Sequence, residues 1–290
     1  MILIYIHGFN SGYHPGGYKI ASLQKMATVY GVAYDSFAIH DQVHRTLRQQ
    51  LGTMLENLQA GESGEGGDGL NSLDERQSLD EREGRESCDG FGREDLDSRG
   101  GSEFHDGRNA IALVGTSLGG YWAARFGNHF GIPAVLINPT IHPHQSLRRY
   151  VGHKLLNFVT RSRNILRDEV PASYGDIERS GDFLVLLDKG DEVLDYHLAE
   201  KWFVSGNNSA DSGKNGDPSG TAQPPETASE TVRRDSCKVL TFEGGSHRFS
   251  HMEEALPHIR QFLSRYFASQ QDSSAESPSD QHPSGQSRPR

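Results

Sequence analysis

Short, continuous apolar runs recur along this chain: Ile2–Ile6, Val32–Phe37, Ala110–Val114, Ala134–Ile137, Phe183–Leu187 and Lys238–Phe242. None alternates polar with apolar, so each reads as a strand covered on both faces, the condition of strands inside a parallel sheet. Between them lie segments with apolar residues at helical spacing: Gly17–Tyr30, Gln42–Gln59, Leu118–Phe130, Tyr196–Val204 and Met252–Ala268. Alternation of this kind predicts an α/β fold of about six mostly parallel strands flanked by helices, joined by right-handed crossovers.

The rest of the chain does not follow that pattern. Only 34% of the residues are hydrophobic, below the usual share of a globular domain. The deficit lies in three stretches: 61–106, rich in Gly, Ser, Asp, Glu and Arg; 205–236, rich in Ser, Gly, Asn, Pro and Thr; and the tail 269–290. Such stretches bury too little apolar surface to offset their ordering entropy. The expected organisation is therefore a single domain over 1–268, interrupted by low-complexity insertions at about 61–106 and 205–236 and followed by a disordered polar tail. The first insertion holds 15 acidic and 5 basic residues, which equals the whole net charge of −10. The remainder is neutral, with no basic balance for nucleic acid. Cys88 and Cys237 lack metal-ligand spacing and form no disulfide framework, so a reducing cytoplasm is the simplest location. The N-terminal MILIYIHGF lacks the basic flank and cleavage site of a signal peptide, and no apolar window is long enough for a membrane span.

In parallel α/β sheets, functional residues collect at the carboxyl ends of the strands. The runs here end in His7-Gly8-Phe9-Asn10-Ser11, Gly115-Thr116-Ser117-Leu118-Gly119, Asn138-Pro139, Asp188-Lys189-Gly190-Asp191 and Glu243-Gly244-Gly245-Ser246-His247. A serine, an aspartate and a histidine thus stand at three strand ends, in the order of the nucleophile-elbow hydrolases. G-x-S-x-G suits a sharp strand-to-helix turn that exposes the Ser117 hydroxyl. The following helix N-terminus, through the backbone N–H of Leu118, and the N–H of Phe9 are the candidate oxyanion donors. His247 is the candidate base, with His7 as a rival, and Asp191 the candidate orienting acid, with Asp188 and Asp195 as rivals. The stretch matches neither the P-loop nor the dinucleotide pattern. His142-Pro143-His144 has a spacing that suits a metal, but no acidic or cysteine partner lies nearby in sequence, so these read as loop histidines. His251 and His258 read as helix residues near the base, and Tyr121 and Trp122 as packing.

Taken together, HGFNS, VGTSLGGYWA, INP, KGDEVLDYHLA and FEGGSHRF resemble the YqiA-like esterases, small bacterial α/β-hydrolases. The resemblance implies a compact α/β-hydrolase fold with a small cap region. It further implies hydrolysis of carboxylic esters, with acyl-CoA thioesters as an alternative, a triad on Ser117, Asp191 and His247, and no metal or organic cofactor. The expected partner is a small acyl ester or thioester. A hydrolase-fold binding protein without catalysis is the competing class. The first run leads straight into His7-Gly8-Phe9, so the strands that usually precede it are expected to be absent, leaving six. Residues 140–181 are the expected cap, where Leu155, Leu156, Phe158 and Val159 either line an acyl pocket or pack structurally.

Overall fold

A computed structural model describes residues 1–59, 110–206 and 237–275. The segments 60–109, 207–236 and 276–290 lie outside the described residues, and with them nearly all of the insertions and most of the expected tail. The chain divides into two units, Met1–Thr53 with Ala110–Arg290, and Met54–Asn109. Of the second, only the last residues of one helix are described.

The first unit is built on six parallel strands: β1 (Ile2–Ile6), β2 (Thr28–Val32), β3 (Ile111–Thr116), β4 (Ala134–Ile137), β7 (Phe183–Asp188) and β8 (Lys238–Phe242). Their order across the sheet is β2-β1-β3-β4-β7-β8. The chain moves outward from β1 to β2 and then resumes on the other side with β3. The order therefore reverses between β1 and β3, which is where α/β sheets open a crevice at their carboxyl ends. The helices are α1 (Tyr18–Gln24), α2 (His40–Gln59), α3 (Leu118–Phe130), α4 (Pro143–Ser146), α5 (Glu169–Ala172), α6 (Tyr196–Gly206) and α7 (Met252–Ala275). A short antiparallel pair, β5 (Lys154–Asn157) and β6 (Ser162–Ile165), lies within the expected cap region.

The continuous apolar runs split by parity. Leu3, Tyr5, Ala112, Val114, Val135, Ile137, Leu184 and Leu186 form one core with Ile20 and Leu23 of α1 and Met252, Ala255, Ile259 and Leu263 of α7. The opposite parity faces α3 and α6; the Phe183 ring, for example, meets Phe203 of α6 edge-on. Residues of both parities are buried, which is why these strands show no alternation in sequence.

The largest departures from the sequence expectation are in β2, α1 and α7. The second strand is Thr28–Val32, not Val32–Phe37, and α1 stops at Gln24 rather than running to Tyr30. Parallel pairing matches Ile2 with Thr28 and Ile6 with Val32. The partner run ends at Ile6, so the chain after Val32 has no strand to pair with. Tyr34 and Phe37 are buried all the same, as loop residues. The last helix continues to Ala275, past Ala268, because nothing in Ser269–Ala275 interrupts it.

Candidate functional site

Ser117 lies between β3 and α3 with φ 55° and ψ −120°, a backbone conformation that non-glycine residues adopt only when their surroundings force it. The surroundings here do so. A Cβ at Gly115 would overlap the carbonyl of Gly119, and one at Gly119 would overlap the carbonyl of Ile6. The two glycines let strand and helix cross at a distance that leaves the serine on the outside of the turn. The Ser117 N–H donates to Ile137 at 3.0 Å, and its carbonyl accepts from Gly120 and Thr140.

The Ser117 Oγ stands 3.2 Å from Nε2 of His247 and 3.5 Å from the Thr140 hydroxyl. On the other side of the imidazole, Nδ1 faces Asp191, 3.0 and 2.9 Å from its two oxygens. The Asp191 side chain is 2% exposed and that of His247 22%. Asp191 Oδ1 also accepts the N–H groups of Val193 and Leu194, both at 2.8 Å, which stabilises the charged carboxylate where it sits. The structure thus brings Ser117, His247 and Asp191 into one hydrogen-bonded line, although they arise from the ends of β3, β8 and β7.

The rival acids have other partners. Asp188 is fully buried at the end of β7. Its Oδ2 accepts from the N–H groups of Ser246 (3.0 Å) and Ser250 (2.8 Å), and its Oδ1 meets Nδ1 of His251 at 2.7 Å. Asp195 accepts the N–H of His197 at the start of α6. His251 sits just before α7 rather than within it, while His258 is an exposed residue of the helix. The Gly244-Gly245 pair makes the tight approach to Asp188 feasible. Both residues have φ in the left-handed region, 71° and 78°, and a Cβ on Gly245 would overlap the Asp188 carboxylate.

His7 is 1% exposed, and its ring nitrogens are engaged with backbone groups rather than with the serine hydroxyl. Its Nδ1–H donates to the Gly8 carbonyl at 2.9 Å, its Nε2 accepts the Tyr34 N–H at 3.4 Å, and its ring stacks on Tyr34. Burial, which disfavours the imidazolium, lowers its pKa to about 4. It stays neutral and holds the loop that follows β1. Gly8 packs so closely on Ser117 that a Cβ there would come within 3.2 Å of the serine Cβ. Phe9 and Leu118, whose backbone N–H groups have no hydrogen-bond acceptor among the described residues, therefore flank the serine from the ends of β1 and β3.

A cavity of about 160 Å³ opens over the serine, lined by Phe9, Asn10, Thr140, Leu147, Tyr150, Val193 and Leu194 among others. A second, of about 230 Å³, adjoins it across Ser146, Val193 and Leu194. Leu155, Leu156, Phe158 and Val159 line neither; Leu156 and Val159 are exposed, 41% and 42%. The apolar wall comes instead from Leu147, Tyr150 and Leu194. Tyr121 and Trp122 are buried in the packing of α3.

In the sequence Asn138-Pro139 reads as a loop stop at a strand end that borders the site. In the structure the Asn138 side chain accepts the N–H of Asp188 at 2.9 Å and donates to the carbonyls of Ser246 (3.1 Å) and His247 (3.4 Å). Its φ of 41° was the kind of position that asparagine tolerates better than most residues, but no sequence pattern marks it. Cys237 is partly buried, which pushes its thiol up to about 12 and keeps it protonated. No described helix is long and apolar enough to cross a membrane.

The sequence model of an uncharacterised protein family, UPF0227, matches residues 102–215, a stretch that includes Ser117 and Asp191. A UPF0227 protein of Shewanella woodyi is 31% identical over 93 residues, 29% of this chain and 42% of that protein. One of Shewanella baltica is 43% identical over 44 residues, 15% and 25% of the two chains. The matches thus span less than half the length of these curated relatives. They agree with the YqiA-like resemblance read from the sequence. Among solved structures, Est1E from Butyrivibrio proteoclasticus superposes with a TM-score of 0.51 at 12% identity, covering 92% of this chain and 88% of the other. The fold is that of the α/β hydrolases.

Proposed function

We propose that this protein is a serine hydrolase that cleaves carboxylic esters through an acyl-enzyme on Ser117. The observation that carries the reading is the line of hydrogen bonds from Ser117 Oγ through His247 to Asp191, at the mouth of a cavity. Ser117 Oγ attacks the ester carbonyl while His247 Nε2 takes its proton. Asp191 holds the Nδ1–H and stabilises the imidazolium that forms. The oxyanion of the tetrahedral intermediate is met by the N–H groups of Leu118 and Phe9. Collapse breaks the bond to the alkoxy oxygen, which leaves as the alcohol with the proton from Nε2. Water, deprotonated by His247, then attacks the acyl-enzyme and regenerates Ser117.

The substrate in this reading is a small acyl ester whose acyl group rests against Leu147, Tyr150 and Leu194. A longer chain continues into the adjoining cavity, between Ile141 and Leu198. The same machinery serves thioesters, and a panel of aryl esters, acyl-CoA thioesters and peptides decides the leaving group. The protein is expected to hydrolyse a chromogenic ester and to be labelled by a fluorophosphonate. Ser117→Ala is expected to lose both. Full activity in that variant overturns the reading, and a wild-type protein inert to both reagents identifies a non-catalytic member of the fold.

A further inference from the structure

We propose that His142, His144 and Asp176 form a binding site for a divalent transition metal of the zinc class. The H-P-H spacing is visible in the sequence, but its acid stands 32 residues away, after α5. The backbone brings it close: the N–H of Ile177 donates to the carbonyl of Ile141 at 2.9 Å, which fastens the two segments side by side. Asp176 Oδ1 then lies 2.6 Å from Nδ1 of His142 and 3.5 Å from Nδ1 of His144. One ligand atom from each residue falls within 4.8 Å of the other two. Zinc–ligand bonds of about 2.0–2.1 Å at tetrahedral angles separate neighbouring ligand atoms by roughly 3.3 Å, so small side-chain shifts suffice to close the site.

A second observation points to a ligand. His144 Nδ1 is buried and makes no hydrogen bond. Its nearest acceptor, Asp176 Oδ1 at 3.5 Å, is a long contact; a buried polar atom without a hydrogen bond is destabilising, and an ion shared with His142 and Asp176 removes that defect. Two imidazole nitrogens and one carboxylate oxygen form a donor set suited to zinc, cobalt or nickel rather than to calcium or magnesium, which take all-oxygen shells. The side chains are 17%, 33% and 45% exposed for His142, His144 and Asp176, so water can complete the shell. The surroundings hold the ligands in orientation. The His142 ring meets Trp202 edge-on at 5.1 Å, and Trp202 in turn carries the Arg179 guanidinium at 4.1 Å. The Gln145 amide nitrogen lies 3.2 Å from His144 Nε2, and turning that amide over brings its oxygen round to accept the Nε2–H once Nδ1 binds metal.

The ion would stand apart from Ser117, and its effect would be on the wall. His142 and Ser146 line the cavity that adjoins the one over the serine, and α4 carries both His144 and Ser146. Binding joins that wall to the segment after α5.

The test uses the full chain stripped with a chelator. Zinc titrated by calorimetry is expected to bind with one site per chain and to raise the melting temperature by mass action. Cobalt(II) is expected to give the visible ligand-field bands of a low-coordinate site. Asp176→Asn and His144→Ala are expected to weaken zinc binding by at least about ten-fold and to abolish the thermal shift. Asp176→Asn keeps a hydrogen-bonding group towards His142, so it tests the site if His144→Ala melts early. Ser117→Ala is expected to bind zinc as the parent does, which separates this site from the hydrolase reading. The proposal is overturned if the parent shows no saturable zinc binding, or if Asp176→Asn binds zinc as tightly as the parent.

Discussion

Asn138 and Asp188 are tied by a buried hydrogen bond: the Asn138 carboxamide oxygen accepts the Asp188 N–H at 2.9 Å, while its Nδ2 reaches the Ser246 carbonyl. Asp188 closes the same circuit from below, holding the N–H groups of Ser246 and Ser250. The loop that carries His247 is thus gripped from two strands, β4 and β7. Asn138→Ala leaves the buried Asp188 N–H without a partner and is expected to cost about 1–3 kcal/mol of stability, read from urea unfolding. On an ester substrate, kcat is expected to fall with KM little changed, because the imidazole is misplaced and the substrate wall is not. An unchanged kcat at reduced stability would leave Asn138 as scaffold alone.

The two acids at the end of β7 give a direct contrast. Asp191→Asn retains an oxygen for the Val193 and Leu194 N–H groups but can no longer hold the Nδ1–H of His247 in place. It is expected to lower kcat about 10⁴-fold, as acid-to-amide changes do in such triads, with a small change in melting temperature. Asp188→Asn disturbs the fully buried carboxylate that faces three donors. It is expected to reduce stability by about 1–3 kcal/mol and kcat by less than the Asp191 change. The opposite ranking of kcat would make Asp188 the orienting acid.

Backbone strain at Ser117 separates two inactive variants. Its φ of 55° and ψ of −120° are accessible to glycine without steric penalty, whereas alanine keeps the strain, worth about 1–3 kcal/mol. Glycine loses back part of that through the greater freedom of its unfolded chain, about 0.5–1 kcal/mol. Ser117→Gly is therefore expected to unfold at higher urea than Ser117→Ala, by about 1 kcal/mol net. Equal midpoints would mean that the elbow is relaxed.

His7 makes stability depend on pH. Its folded-state pKa of about 4 lies below the ordinary value near 6.5, so between those values the unfolded chain binds a proton that the folded chain does not. Stability from this residue is fully present above about pH 6.5 and is lost as pH falls towards 4. The total is about 3 kcal/mol at 1.36 kcal/mol per pKa unit. His7→Asn, which keeps a donor towards the Gly8 carbonyl, is expected to flatten that limb in urea titrations between pH 7 and 4. A limb as steep as that of the parent would assign the acid sensitivity to other groups.

Much of this architecture was legible in the chain because its signals are local. Ile2–Ile6, Ala134–Ile137 and Lys238–Phe242 are strands at the predicted residues, and α3 spans the predicted Leu118–Phe130. The Gly115 and Gly119 positions follow from the crossing of β3 and α3, which is itself a local event. Where the reading slipped, a partner was missing from it. The run Val32–Phe37 has the composition of a strand, but β1 ends at Ile6 and leaves nothing for it to pair with. Leu155 and Leu156 read equally well as pocket or packing residues; they pair within β5 and β6 and line neither cavity.

The sequence by itself determined the order of strands and helices, the sharp turn that holds Ser117 and the short set of acids and histidines at strand ends, because periodicity, glycine and strand termini act over a few residues. Tertiary structure decided which acid meets which imidazole. Asp188 is drawn inward to the N–H groups of the Ser246–Ser250 loop and to His251, and Asp191, beyond the Gly190 turn, reaches His247. It also decided that Asp176 arrives beside His142 and His144. Both outcomes depend on where loops distant in sequence come to rest against one another, and spacing along the chain carries no record of that distance.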